Sequence, residues 1–219
     1  RREVRLAVAT SKDLRHWIKH GPVFAGTPFE HVHSKSGSIV STVVGGRLLA
    51  RKISGSYWMY WGDDGVKAAS SADLIHWTPF TDSQGKIVDV LPPRQGYFDS
   101  NLAEGGPAAV LTKDGIVVLY NGMNSTDAGR DPDLPPGIYC GGQALFDAHD
   151  PLKLLKRPDK PFFEPEMPWE KTGQYKDGTT FIEGLVRFRD RWFLYYGCAD
   201  SKVGVAVSEP ARSPRSVRA

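Results

Sequence analysis

Tyr57-Trp58-Met59-Tyr60-Trp61-Gly62 is the stretch whose reading decides the fold. A run of large aromatic residues closed by a glycine describes a strand. It has two echoes, Val117-Val118-Leu119-Tyr120-Asn121-Gly122 and Trp192-Phe193-Leu194-Tyr195-Tyr196-Gly197. Each copy follows a turn: Ser54-Gly55, Asp114-Gly115 and Arg189-Asp190. After a loop, each is followed by a strand of smaller residues, at 66–69, 138–145 and 203–207.

A second repeat lies between these units. Ala9-Thr10-Ser11-Lys12-Asp13-Leu14-Arg15-His16-Trp17 returns as Ala69-Ser70-Ser71-Ala72-Asp73-Leu74-Ile75-His76-Trp77. In both copies a strand runs into a Ser-x-Asp-Leu turn, whose Ser and Asp can bond the backbone amides that follow. His16 and His76 read as structural, because they recur with the turn and with no charged partner. Units of this size built from antiparallel hairpins are blades of a β-propeller. The expected fold is therefore all-β, a five-bladed β-propeller. Three near-complete blades centre on residues 37–77, 104–150 and 181–210, with the end of another at 3–17. Three blades and a fragment do not close a ring. The expectation is one propeller domain over 1–210, incomplete at its N-terminus, with a disordered tail at 211–219.

Composition fits this picture. The chain has 219 residues, 40% hydrophobic and 24% charged, with a net charge of +3. That is enough to bury a core, and no basic stripe interleaved with aromatics points to nucleic acid. No apolar run reaches membrane-spanning length. Cys140 and Cys198 fit neither a disulfide framework nor a metal site, and they leave the compartment undetermined. Asp127, Asp131 and Asp133 do not follow calcium-loop spacing, and no His/Cys set has zinc spacing, so neither metal nor cofactor is expected. Oligomeric state is not legible, and the expected partner is a carbohydrate.

The chemistry centres on Glu104-Gly105-Gly106-Pro107, a carboxylate raised at the start of a strand beside two glycines. Together with Gly142-Gln143-Ala144-Leu145-Phe146-Asp147, Phe181-Ile182-Glu183-Gly184 and Tyr195-Tyr196-Gly197-Cys198-Ala199-Asp200, it resembles glycoside hydrolase family 130, the mannoside phosphorylases and mannosidases. The likeness extends to the five-bladed glycosidases of family 43. It implies an axial funnel in which carboxylates from different blades meet. By the family 43 likeness Glu104 is the general acid, in apolar surroundings that raise its pKa. Glu183, opening the next blade, is the base or a substrate ligand. Asp99, Asp200, Asn121, Tyr139, Ser36 and Asp64 are the candidate substrate-binding residues, with Asp63 beside Asp64. Trp61 could stack on a sugar but reads better as core.

Departures from the family carry weight too. Ser36 falls where the phosphorylases carry an acidic Asp. Leu102 and Asn121 fall where they carry phosphate-binding Lys and His, with Arg51 and Lys52 as partial compensation. Without clustered cations a phosphate nucleophile is poorly neutralised. Hydrolysis is thus expected over phosphorolysis. The alternatives are a phosphorylase of the same fold and a carbohydrate-binding propeller without catalysis.

Overall fold

The computed structural model describes residues 4–209. The tail expected to be disordered at 211–219 lies outside them, as do the ends of the expected domain at residues 1–3 and 210. The all-β propeller expectation holds. Among the described residues the only helical element is a 3-10 turn, Pro168–Glu170, and none is long and apolar enough to cross a membrane.

The strands form four sheets. The first pairs Ala7–Ser11 with Trp17–Pro22. The second is built on Gly37–Ile39, Ser56–Trp61, Val66–Ser71 and Asp89–Leu91. The third centres on Gly115–Met123, flanked by Tyr139–Phe146, Val110–Thr112 and Leu102–Gly105. The fourth is a meander of Thr180–Phe188, Arg191–Cys198 and Lys202–Val207. Each aromatic stretch singled out in the sequence is a strand flanked on both sides: Ser56–Trp61, Gly115–Met123 and Arg191–Cys198.

One connection departs from the expected blade at 37–77. After pairing in the second sheet, the chain crosses at the fully buried Val40 into the third. There Ser41 lies parallel to Val110, its amide donating to the Ala109 carbonyl at 2.8 Å, and Ser41–Val44 forms a hairpin with Arg47–Ala50. The Arg51 amide returns to the Val40 carbonyl at 2.9 Å, closing the excursion. This hairpin ties two sheets together at their edges, and strand propensity alone cannot choose the sheet that a strand joins.

Between the second and third sheets lies the main core, with Val40, Tyr60, Phe98, Ile116, Tyr120 and Phe146 fully or almost fully buried. Burying a ring of this kind contributes roughly 1.5–3 kcal/mol. Trp61 is core as well, packed edge-on against Phe24 at 4.8 Å.

The repeated turn closes as its sequence indicates. Ser11 accepts from the amides of Asp13 and Leu14, and Asp13 from those of Arg15 and His16. Ser71 and Asp73 repeat the pattern. The histidines do have a charged partner: His16 Nδ1 lies 2.7 Å from Asp13, and His76 Nδ1 lies 2.8 Å from Asp73. They are structural through that pairing, which corrects the expectation that they lack one. The amide and imidazole bonds hold both aspartates well below the usual carboxylate range.

Candidate active site

Glu104 sits on the strand Leu102–Gly105, opposite Asn121 in the register with Gly115–Met123. The residue is only 2% exposed, and its surroundings are polar, contrary to the apolar setting expected from the sequence. The Ser36 hydroxyl donates to Oε1 at 2.7 Å, and Lys35 Nζ lies 3.1 Å from the same oxygen. Both are donors to its carboxylate oxygen. Ser36 and Lys35 precede the strand Gly37–Ile39, and Ser36 is bent into the left-handed region (φ 49°) to make this contact.

Gly62 holds that segment in place. Its amide donates to the Lys35 carbonyl at 2.9 Å, and its carbonyl accepts from Gly105 at 3.2 Å. It has φ +110°, and a Cβ there would lie 2.6 Å from the Gly65 carbonyl oxygen, so only glycine fits.

Glu183 reaches the same place from the fourth sheet. In the pairing of Thr180–Phe188 with Arg191–Cys198, Ile182 faces Tyr196 and Gly184 faces Tyr195, leaving Glu183 as the extra residue of a β-bulge. A bulge re-aims a side chain. The adjacent Ile182 is gripped by Asn121, whose Nδ2 donates to the Ile182 carbonyl at 3.0 Å and whose Oδ1 accepts from the Ile182 amide at 2.7 Å. Asn121 is therefore a clamp between strands. Fully buried and committed to Ile182 at both ends of its amide, it holds two strands together and does not open to a sugar, contrary to its expected role.

Glu183 keeps a solvent-facing side, yet its carboxyl is pushed up, first by the atoms crowding it and then by the charge of Glu104. Lys35 opposes that rise. Lys35 in turn loses by burial and gains more from Glu104, Asp63 and Glu183, so its ammonium is held charged. The two carboxylates and one cation thus form a single coupled group. Asp63 joins it, with Oδ2 3.0 Å from His33 Nε2 and 4.0 Å from Lys35 Nζ.

The other sequence candidates divide. Tyr139 belongs to the group: burial raises its hydroxyl pKa, followed by Tyr175, Glu104, Asp200 and Asp63. Asp200 is exposed in a left-handed bend (φ 54°) within reach of Tyr139's field. Asp64 turns outward to Lys67, while its neighbour Asp63 faces the site. Asp99 is fully buried and saturated. Arg94 donates to both of its oxygens at 3.2 and 3.1 Å, while Arg157 at 2.6 Å and the Tyr120 hydroxyl at 2.7 Å share Oδ2. It locks the loop ahead of Glu104 and does not present itself to a ligand.

Lys35 and His33 went unnoticed in the sequence, where they lie in an irregular run far from Glu104. Lys35 removes the premise that the site lacks a cation. Arg51 and Lys52, by contrast, line a separate pocket of about 420 Å³ with Lys113 and His149.

Comparison with known proteins places the chain in a family. A family model described as β-1,4-mannooligosaccharide phosphorylase matches residues 1–211. The 1,2-β-oligomannan phosphorylase of Thermoanaerobacter sp. (strain X514) is 30% identical over 209 residues, covering 94% of this chain and 59% of that protein. A glycosyl hydrolase structure from Bacteroides ovatus is 53% identical with a TM-score of 0.91, covering 97% of this chain and 60% of that one. A further structure, described as "The GH130 family of mannoside phosphorylases contains glycoside hydrolases that target beta-1,2 mannosidic linkages in Candida mannan", is 50% identical with a TM-score of 0.93 and the same coverage. This chain spans about three-fifths of the length of these relatives. The curated relatives are named phosphorylases, which overturns the expectation of hydrolysis over phosphorolysis. The chain belongs to glycoside hydrolase family 130, the family of the mannoside phosphorylases.

Proposed function

We propose that the protein cleaves a β-mannosidic linkage in an oligosaccharide, with inorganic phosphate as the acceptor. The observation that carries this reading is the coupling of Glu104, Glu183 and Lys35 in one site. Glycoside cleavage calls for a proton on the leaving oxygen and negative charge facing the oxocarbenium-like transition state. Glu183, with its raised pKa, is the proton donor. Glu104, hydrogen-bonded by Ser36 and paired with Lys35, faces the developing positive charge. These roles are the reverse of those expected from the sequence.

In the reaction the bond from the anomeric carbon to the leaving oxygen breaks, and that oxygen takes the Glu183 proton. A phosphate oxygen bonds the anomeric carbon, giving mannose 1-phosphate and the shortened sugar. Lys35 supplies positive charge and a donor for a phosphate in this site. Tyr139 and Asp200 border the same group and bind sugar hydroxyls.

Product analysis tests the reading. β-1,2- and β-1,4-mannooligosaccharides are incubated with and without phosphate, and mannose 1-phosphate is measured. Phosphate-dependent release of mannose 1-phosphate supports the proposal. Release of free mannose at a rate independent of phosphate overturns it.

A further inference from the structure

Tyr175 lies on the segment between the 3-10 turn Pro168–Glu170 and the strand Thr180–Phe188. It is a large ring left 43% exposed, which on an ordinary surface loop would mean little. Its neighbours give it meaning. The ring packs edge-on against Tyr139, with centroids 6.0 Å apart and planes at 65°. Tyr139 packs edge-on against Phe181 at 5.9 Å and 63°. Three rings therefore stand in a row. Its middle ring, Tyr139, lies two positions along its strand from Gly141, which pairs with Asn121, the residue paired on its other side with Glu104. The Tyr139 hydroxyl pKa is raised by burial and then by Tyr175, Glu104, Asp200 and Asp63.

The segment carrying Tyr175 is pinned. The amides of Gln174 and Tyr175 both donate to the Ala199 carbonyl, at 3.0 and 3.4 Å, and Gln174 also donates to Ser201 Oγ at 3.1 Å. Gly173 approaches so closely that a Cβ would lie 2.6 Å from the Ala199 carbonyl oxygen. Ala199 and Asp200 adopt left-handed conformations (φ 46° and 54°), which aim that carbonyl at the segment. At its other end Glu170, only 3% exposed, accepts from the amides of Glu166 and Met167 and from the Tyr196 hydroxyl. Tyr175 is thus a half-open aromatic face on a segment held at both ends, beside the catalytic group.

We propose that Tyr175 is a specificity-determining residue, whose ring is the platform for the sugar unit adjoining the one held between Glu104 and Glu183. The C–H face of a pyranose carries partial positive charge and suits the electron-rich face of an aromatic ring. Removing the ring weakens binding of that second sugar and leaves the bond-breaking group intact. This rests on the reading of the site as one that cleaves an oligosaccharide.

The test compares Tyr175→Ala and Tyr175→Phe with the wild type on β-mannobiose and β-mannotriose. For Tyr175→Ala we expect KM to rise about tenfold while kcat changes less than about threefold; Tyr175→Phe retains the ring and stays near the wild type. An unchanged KM in Tyr175→Ala, or equal losses in both variants, overturns the proposal. Calorimetric binding of a panel of neutral oligosaccharides is run in parallel. If β-mannosides are not cleaved, the mannoside reading falls and the panel still decides Tyr175. Weaker binding of a panel sugar to Tyr175→Ala supports it, whereas unchanged affinity, or no sugar bound by the wild type, overturns it.

Discussion

Asp99 and Glu104 are both buried carboxylates, five positions apart on one stretch of chain, and they have opposite fates. Asp99 is 0% exposed and meets Arg94, Arg157 and Tyr120; the two arginine side chains are only 19% and 5% exposed. Glu104 meets one hydroxyl and one lysine, and that lysine is 43% exposed. Across from Glu104 stands a second carboxylate, Glu183, whose charge it perturbs. Full internal compensation makes a buried carboxylate a structural lock. Partial compensation, shared with a cation and an acid that open to solvent, leaves charge available for chemistry.

The largest effect that would break this contrast is on turnover. Glu104→Gln removes the anion at little change in volume. It should lower kcat/KM about 1,000-fold while the urea midpoint stays near the wild type. Asp99→Asn should do the converse, costing about 3–5 kcal/mol in unfolding because two arginines are left facing an amide. The folded fraction should keep its kcat. If Asp99→Asn cut kcat at unchanged stability, the assignment of Asp99 as a lock would be wrong.

Single hydrogen bonds sharpen the contrast at smaller scale. Ser36→Ala deletes one charge-assisted bond to Glu104 and should cost about 1.5–3 kcal/mol in transition-state stabilisation, read as kcat/KM. Tyr120→Phe deletes the corresponding bond to Asp99, and its cost of about the same size should fall on the unfolding free energy.

The smallest effect is a pH dependence. Glu183 has a folded-state pKa raised above its unfolded value. Its contribution to stability is present below the unfolded pKa and is lost as pH rises through the folded one. Glu183→Gln should therefore gain stability relative to the wild type as pH rises above 4.5, the ordinary glutamate value, measured by denaturant titration at each pH. Activity that uses protonated Glu183 should fall over the same upward limb, and Lys35→Met, which removes the charge opposing the shift, should move that limb to higher pH.

Much of the fold was legible because its signals are local. Aromatic strands ending in glycine, and Ser-x-Asp turns that bond their own backbone, read the same in isolation as in the structure. The burial of the repeated element was not legible. Trp77 is 2% exposed and Trp17 is 53% exposed after identical turns, since burial depends on what packs against the turn. In the site, Glu104, Glu183, Tyr139 and Ser36 stood out from strand starts and family likeness. Lys35 and His33 did not, because their partners are distant in the chain and carry no spacing signal. Asp99 and Asn121 read as ligand-facing from the sequence, which shows a polar residue near a strand end but not its partners. The bulge that frees Glu183 reveals itself only in the register of two strands.

The most direct measurement is turnover of β-mannobiose in phosphate by the wild type, Glu104→Gln and Glu183→Gln, with unfolding followed in parallel. The account predicts phosphate-dependent mannose 1-phosphate from the wild type, about 1,000-fold less from either variant, and cooperative unfolding in all three. Near-wild-type turnover in either variant would contradict it.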